Sequence, residues 1–188
     1  MELFAQGFRN QFDIAFDGNG ELFTFDSDME WDMGAPWYRP TRIYLCTPGG
    51  ELGWRSGASN NTLATLDMQP ALVDVGPGSP TGTAMGTGAK FPAAYQRAFF
   101  ACDWTFATLY AIHLTPEGGG WKARKEVFAA GRPFSVTDVV IRPQDGHMYV
   151  TIGGRGGQSA LYRITYQGTE STAPAGWFPA TPEQKLRR

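Results

Sequence analysis

The chain has 188 residues, enough for one domain with a sizeable core, and a formal net charge of −2, a balance that argues against a nucleic-acid partner and against an anionic membrane surface. No apolar run approaches the ~20 residues of a membrane helix. Gly (24) and Pro (13) make roughly a fifth of the sequence, below the low-complexity range, and with 42% hydrophobic and 14% aromatic residues the composition is that of a turn-rich globular β protein.

The start, Met1-Glu2-Leu3-Phe4, shows neither a basic n-region nor a signal-type cleavage site. Either a cytosolic chain or one lacking its true N-terminus is expected. Residues 2–8 read as the end of a strand system. Asp13-Ile14-Ala15-Phe16, a turn at Asp17-Gly18-Asn19-Gly20, and Leu22-Phe23 then predict a strand pair at about 12–26. An acidic and aromatic loop follows at 26–41, a strand at 42–46, and a tight turn at Thr47-Pro48-Gly49-Gly50. Residues 57–70 are polar and read as a surface loop. A second unit is expected to begin near Leu72-Val73-Asp74-Val75 and to cross the Gly/Pro/Ser/Thr-rich stretch 76–90. Pro92–Arg97 carries the one helical signal. Strands follow at about 98–102, 109–114 and 121–129, with a turn at Thr115–Gly120. The third unit is 131–166. The remainder, 167–188, is rich in Thr, Ala and Pro and reads as a linker or a short disordered end.

The third unit repeats the first. Asp138-Val139-Val140-Ile141, a turn at Asp145-Gly146, and Met148-Tyr149 echo Asp13 to Phe23, and each copy is followed by an apolar strand, Arg42–Cys46 or Leu161–Tyr166. A strand-turn-strand unit that returns far along the chain predicts a β-propeller. Asp13 and Asp138 lie 125 residues apart with one unit between them, which gives ~60 residues per unit. The expected fold is therefore all-β, with about three blades at 1–65, 66–130 and 131–166. Propellers close with 4–8 blades, so three are too few, and either a fragment or a unit that a partner closes is expected.

The sharpest chemical feature is Asp26-Ser27-Asp28-Met29-Glu30-Trp31-Asp32, with four carboxylates in seven residues. Asp26, Asp28, Glu30 and Asp32 are candidate ligands for a hard cation such as Ca²⁺, because their mutual repulsion favours a counter-ion. The spacing is not that of an EF-hand, and a solvated acidic loop is the plain alternative. Trp54, in Gly53-Trp54-Arg55, is a candidate stacking surface or a core residue. Arg39, Arg42 and Arg55 are candidate anion contacts or surface ion-pair partners. His113 and His147 lack metal-ligand spacing and read as structural. Gly153-Gly154-Arg155-Gly156-Gly157 follows no strand-to-helix pattern and reads as a hairpin loop. Cys46 and Cys102 either pair or remain buried thiols.

Three stretches together resemble a known family. They are Gly7-Phe8-Arg9-Asn10 leading into Asp13–Phe16; Arg42-Ile43-Tyr44 with Pro48-Gly49-Gly50-Glu51-Leu52-Gly53-Trp54; and Ser79-Pro80-Thr81-Gly82 with Gly88-Ala89-Lys90-Phe91-Pro92. The chain resembles the six-bladed glucose/sorbosone dehydrogenase-type propellers, the soluble quinoprotein family, which implies that its three blades are about half of a six-bladed propeller. Phe25–Asp32 with Pro36-Trp37-Tyr38-Arg39-Pro40 is similar to the planctomycete-type membrane-bound dehydrogenase proteins, over about residues 1–172. The resemblance implies an exported, periplasmic or extracytoplasmic propeller that oxidises a sugar or alcohol by hydride transfer to the quinone PQQ beside Ca²⁺. It implies as partners the remaining blades and a c-type haem domain. It places calcium ligands at Asp26–Asp32, anion contacts at Arg132 and Arg155, and stacking surfaces at Trp54 and Trp104. The sequence departs from the family where Ser135-Val136-Thr137 stands in place of an arginine pair before Asp138. A lysine of the preceding blade is also absent from Cys102-Asp103-Trp104-Thr105-Phe106, and the catalytic histidine would lie in other blades. These departures favour an alternative, a non-catalytic, calcium-stabilised module that binds polysaccharide.

Overall fold

The structure is a computed structural model that describes residues 1–30, 38–54 and 68–187. In chain order the strands are β1 (Ala5–Gln6), β2 (Ile14–Phe16), β3 (Leu22–Asp26), β4 (Met29–Glu30), β5 (Tyr38–Arg39), β6 (Thr41–Cys46), β7 (Gly50–Glu51) and β8 (Val73–Gly76). Then come β9 (Pro80–Met85), the one-turn helix α1 (Ala93–Gln96), β10 (Ala98–Asp103), β11 (Thr108–Glu117) and β12 (Gly120–Ala130). The last elements are β13 (Val136–Ile141), β14 (Met148–Ile152), β15 (Ala160–Ile164) and the short helix α2 (Pro182–Arg187). No helix among the described residues is long and apolar enough to cross a membrane.

Three antiparallel sheets form successive blades of a β-propeller: β2-β3-β6-β8, β9-β10-β11-β12, and β13-β14-β15. β9 contacts both β2 and β13, so the first strand of each blade lies innermost. The repeat seen in the sequence is the first hairpin of blades 1 and 3. Phe16 pairs with Leu22 across one turn, and Ile141 pairs with Met148 across the other. The turns are held alike: Asp17 Oδ1 accepts the amides of Asn19 and Glu21, and Asp145 Oδ1 accepts that of His147. The inner aspartates match too, since Asp13 and Asp138 each accept the amide of the next residue.

Burial follows position in the ring. Blade 2 lies between two neighbours, so β10 (Ala-Phe-Phe-Ala-Cys-Asp) is buried on both faces. Phe99 and Ala101 enter a core with Phe23, Phe25, Ile43 and Leu45 of blade 1, while Phe100 and Cys102 enter a second core with Val136, Val139, Met148 and Val150 of blade 3. Burial of each large side chain contributes about 1.5–3 kcal/mol. In β14 the fully buried residues alternate, Met148, Val150 and Ile152, because blade 3 packs on one face alone.

Two expectations are corrected. Val73–Gly76 does not begin the second unit; it pairs with β6 as the outer strand of blade 1. The segment after Tyr166 is not a loose linker. It turns back across blades 2 and 1, where Gln96 Nε2 donates to Ala173 O at 2.9 Å and Gln96 Oε1 accepts the Ala175 amide at 2.8 Å. Trp177 and Phe178 pack on Trp121, Thr181 bonds Gly118 O, buried Gln184 bonds Gly120 O, and Arg187 pairs with Glu21. The acidic loop is also partly ordered into a hairpin base, β4 paired with β5. Most of the predicted surface loop 57–70 lies outside the described residues. Cys46 and Cys102 are both free and buried, on different sheets.

Candidate functional site

Inner strands start, and second strands finish, at one end of the half-ring. The links from second to third strand, Trp104–Ala107 in blade 2 and Gly153–Ser159 in blade 3, therefore lie at the same end as the links into the inner strands. Two sequence candidates meet there. Half-buried Trp104 donates its indole N–H to Gly153 O at 2.6 Å, and the exposed Arg155 guanidinium lies over the Trp104 ring, 5.3 Å from its centre. A cation over tryptophan at an exposed site is worth about 0.5–1 kcal/mol. Arg155 holds φ at +48°, a left-handed conformation uncommon for a non-glycine residue, between Gly154 and Gly156, which are also at positive φ. The loop thus displays a guanidinium over an aromatic plate.

Arg132 is exposed on the link into β13, and that link is tied to the arginine loop because Gly153 N–H donates to Ser135 O at 3.0 Å. The two arginines therefore belong to neighbouring loops of one blade end. Three further groups, none of them a sequence candidate, complete the surface. Phe106 is 53% exposed and lies two residues after Trp104, and the Thr105 hydroxyl donates to Ser79 Oγ at 2.7 Å. The available signal was Trp104-Thr105-Phe106 itself, two aromatics placed in a turn.

Trp54 is held elsewhere. Its amide donates to Gly7 O beside the β1–β7 pair on the flank of blade 1, and its side chain is half-buried. Trp104 and Arg155, by contrast, belong to loops of blades 2 and 3.

Asp26 is fully buried and accepts three amides: Oδ2 accepts from Arg9 at 3.0 Å, and Oδ1 accepts from Asn10 at 2.8 Å and Ser27 at 2.9 Å. Desolvation raises its pKa against the pull of these bonds. Asp103 stands at the same place in blade 2. Its Oδ1 accepts the amides of Ser79, Thr105 and Phe106, while the buried Oδ2 has no hydrogen-bond partner among the described residues. Desolvation again raises its pKa. Both aspartates tie the link into the inner strand to the end of the second strand, so Asp26 serves as a loop anchor. Asp28 is buried; the side chain of Glu30 and all of Asp32 lie outside the described residues. Among the described residues no group of three carboxylate, histidine or cysteine side chains converges as a metal site.

No family model matches the sequence, and no curated protein matches it. Solved structures do. An oxidoreductase (glucose dehydrogenase) from Thermus thermophilus superposes with a TM-score of 0.67 at 22% identity, over 86% of this chain and 47% of its own. The PQQ-bound aldose sugar dehydrogenase of Streptomyces coelicolor gives 0.62 at 15% identity, over 86% and 44%. The soluble aldose sugar dehydrogenase of Escherichia coli, in its apo-form, gives 0.66 at 15% identity, over 87% and 47%. At these identities the likeness establishes the fold, and the chain spans about half the length of the structures it matches. The similarity to planctomycete-type proteins has no counterpart among these matches.

Proposed function

We propose that this chain is half of a quinoprotein-like dehydrogenase propeller that acts on a sugar or alcohol. The observation that carries the reading is the Arg155–Trp104 pair at the end of the half-ring where the inter-strand loops gather. PQQ is a flat tricarboxylate, and a guanidinium held on an aromatic plate, with Arg132 on the adjoining loop, offers charge and a stacking edge to such a molecule. When bound, the quinone supplies an acceptor for hydride from a substrate C–H. Arg155 and Arg132 bind carboxylates, Trp104 fixes the orientation of Arg155, and the Thr105–Ser79 hydroxyl pair faces polar substrate. The general base and further cations would come from the other blades, and a c-type haem domain would supply the electron acceptor, in an exported, periplasmic or extracytoplasmic protein. A cation at the acidic loop would be held by Asp26, Asp28, Glu30 and Asp32, with Asp26 also tied to three amides.

A second reading is a non-catalytic carbohydrate-binding module. It is favoured by exposed Phe106 close to Trp104 in the chain, and by Ser135-Val136-Thr137 where the resembled family carries arginines. Titration of PQQ with Ca²⁺ separates the two. A saturable absorbance shift that is lost in Arg155→Ala and in Trp104→Ala supports the quinone reading. No shift in folded protein, with tryptophan fluorescence quenched by polysaccharide instead, supports the module.

A further inference from the structure

Blade 2 carries a group of titratable side chains away from the Trp104 surface. His113 lies on β11, opposite Arg124 of β12, and Ala111 lies opposite Glu126. Residues directly opposite share a sheet face, so His113, Arg124 and Glu126 stand on one face. His113 Nε2 is 2.8 Å from Glu126 Oε2, both side chains being partly buried. The Tyr95 hydroxyl of α1 donates to Glu126 Oε1 at 2.9 Å. One carboxylate thus joins a strand histidine to the helical turn. The Tyr95 ring packs against the rings of His113, Phe128 and Phe91, at 5.5, 5.3 and 6.5 Å between centres.

The next residue of α1 is Gln96, which fastens the segment that runs back after β15. Gln96 bonds Ala173 O and the Ala175 amide, and Arg97 adds a bond to Gly176 O at 2.8 Å. α1 is a single turn of four residues, and a helix so short has little stability of its own. Tyr95 places it on blade 2 through its ring contacts and its bond to Glu126. The position of Glu126 therefore bears on the bonds made to residues 173–176.

Other charges face this network. Arg124 Nη2 lies 3.7 Å from Glu126 Oε2 and its side chain is 69% exposed, and Lys122 stands two positions before it, opposite Thr115. In the returning segment Glu170 lies within electrostatic reach of Tyr95, and its amide donates to the Tyr166 hydroxyl. β10 presents only Ala98 opposite His113. Histidine is the side chain that ordinarily changes charge between about pH 5 and 8. Across that range Glu126 stays ionised: burial raises its pKa, but the bonds from His113 and Tyr95 and the nearby positive charges bring it below 4.5. Tyr95 stays protonated, because its bond to Glu126 pushes its pKa above 10.0. Of the three bonded groups, His113 is left to change charge. Neutral, with its proton on Nε2, the ring gives Glu126 an ordinary hydrogen bond. Protonated, it gives a charge-assisted one, roughly twice as strong.

We propose that His113 and Glu126 form a proton-operated latch which, through Tyr95 and Gln96, fastens the segment after β15 most firmly when His113 is protonated. The sign follows from charge. A proton gained by His113 gives Glu126 a cationic partner, so fastening is complete at the low end of the range and weakens as pH rises through it. No ligand at Trp104 takes part, so the latch stands or falls apart from the redox reading.

Amide hydrogen exchange of residues 172–178 in the 188-residue chain tests it, at about pH 5.5 and about pH 8, corrected for the intrinsic effect of pH on exchange. Protection is expected to be about fivefold greater at the lower pH, the difference between a charge-assisted and a neutral bond. The amides of β10 report global stability and are expected not to follow it. His113→Gln, neutral at every pH, is expected to remove the dependence. His147→Gln is expected to keep it, His147 being the chain's other histidine, on the turn before β14. Tyr95→Phe keeps the ring but cuts its bond to Glu126, and is expected to remove the dependence as well. A flat wild type overturns the proposal, as does a dependence shared equally by β10, one that persists in His113→Gln or Tyr95→Phe, or one that disappears in His147→Gln. If His113→Gln does not fold, Tyr95→Phe decides: loss of the dependence supports the latch, and persistence overturns it.

Discussion

At the residue scale the anchor aspartates show how burial and hydrogen bonding oppose each other. Each carboxyl gives three amides a partner, which lowers its pKa, and desolvation outweighs that and raises it above 3.8. An acid with a higher pKa folded than unfolded holds its proton more tightly in the fold. Its contribution to stability is complete below the unfolded value and is lost as pH rises through the folded one. Asp103→Asn removes this dependence while keeping an oxygen for the amides of Ser79, Thr105 and Phe106. The melting temperature of the variant relative to wild type is expected to climb as pH rises from 3.8 toward neutrality; a constant difference would contradict the assignment. Asp103→Ala leaves those amides without a partner and is expected to cost about 1–3 kcal/mol in denaturant titration. The thiols follow the same logic. Burial pushes Cys46 up to about 12 and Cys102 higher still, so neither should react with a thiol reagent at mildly alkaline pH until the chain is unfolded.

At the element scale the segment after β15 works as a strap. Its fastening point is Gln96, buried at the end of α1, whose side chain bonds Phe91 O, Ala173 O and the Ala175 amide. Arg97 adds a bond to Gly176 O and lies over the Phe178 ring. Gln96→Ala leaves several buried polar groups without partners, at about 1–3 kcal/mol each. Limited proteolysis is expected to cut residues 167–181 faster in that variant while the blade strands stay protected. Equal cleavage rates would show that the remaining contacts, Trp177 and Phe178 on Trp121 with the Thr181 and Gln184 bonds, hold the strap without Gln96.

At the scale of the whole molecule, β10 is shared between two cores. Phe99 faces blade 1 and Phe100 faces blade 3. A strand buried on both faces couples the blades, so calorimetry is expected to show one transition for all three. Phe99→Ala and Phe100→Ala should each destabilise that single transition by about 3–5 kcal/mol. Separate transitions for blades 1 and 3 would mean that blade 2 does not couple them.

How much of this was legible beforehand depended on the range of the interactions. The strand-turn-strand repeat, the all-β class, three strands of blade 2 (β10 to β12) and the helical turn at 92–97 are set by apolar alternation and turn residues close together in the chain, so the sequence determined them; β9 was hidden in a Gly/Pro/Ser/Thr-rich stretch. The place of Val73–Gly76 was misread because its composition suits the edge of either adjacent sheet, and pairing with β6 is a choice between competing long-range partners. The strap was misread because its composition resembles that of a linker, whereas its order comes from Gln96 and Trp121, which lie far back in the chain. The acidic run showed its charge but not that Asp26 spends its oxygens on the amides of Arg9 and Asn10. Trp104 and Arg155 were each visible as candidates, yet their meeting is set by two loops of neighbouring blades. Residue type and local period decided which strands form; only packing of blade on blade could select which side chains share a surface, because that depends on contacts far apart along the chain.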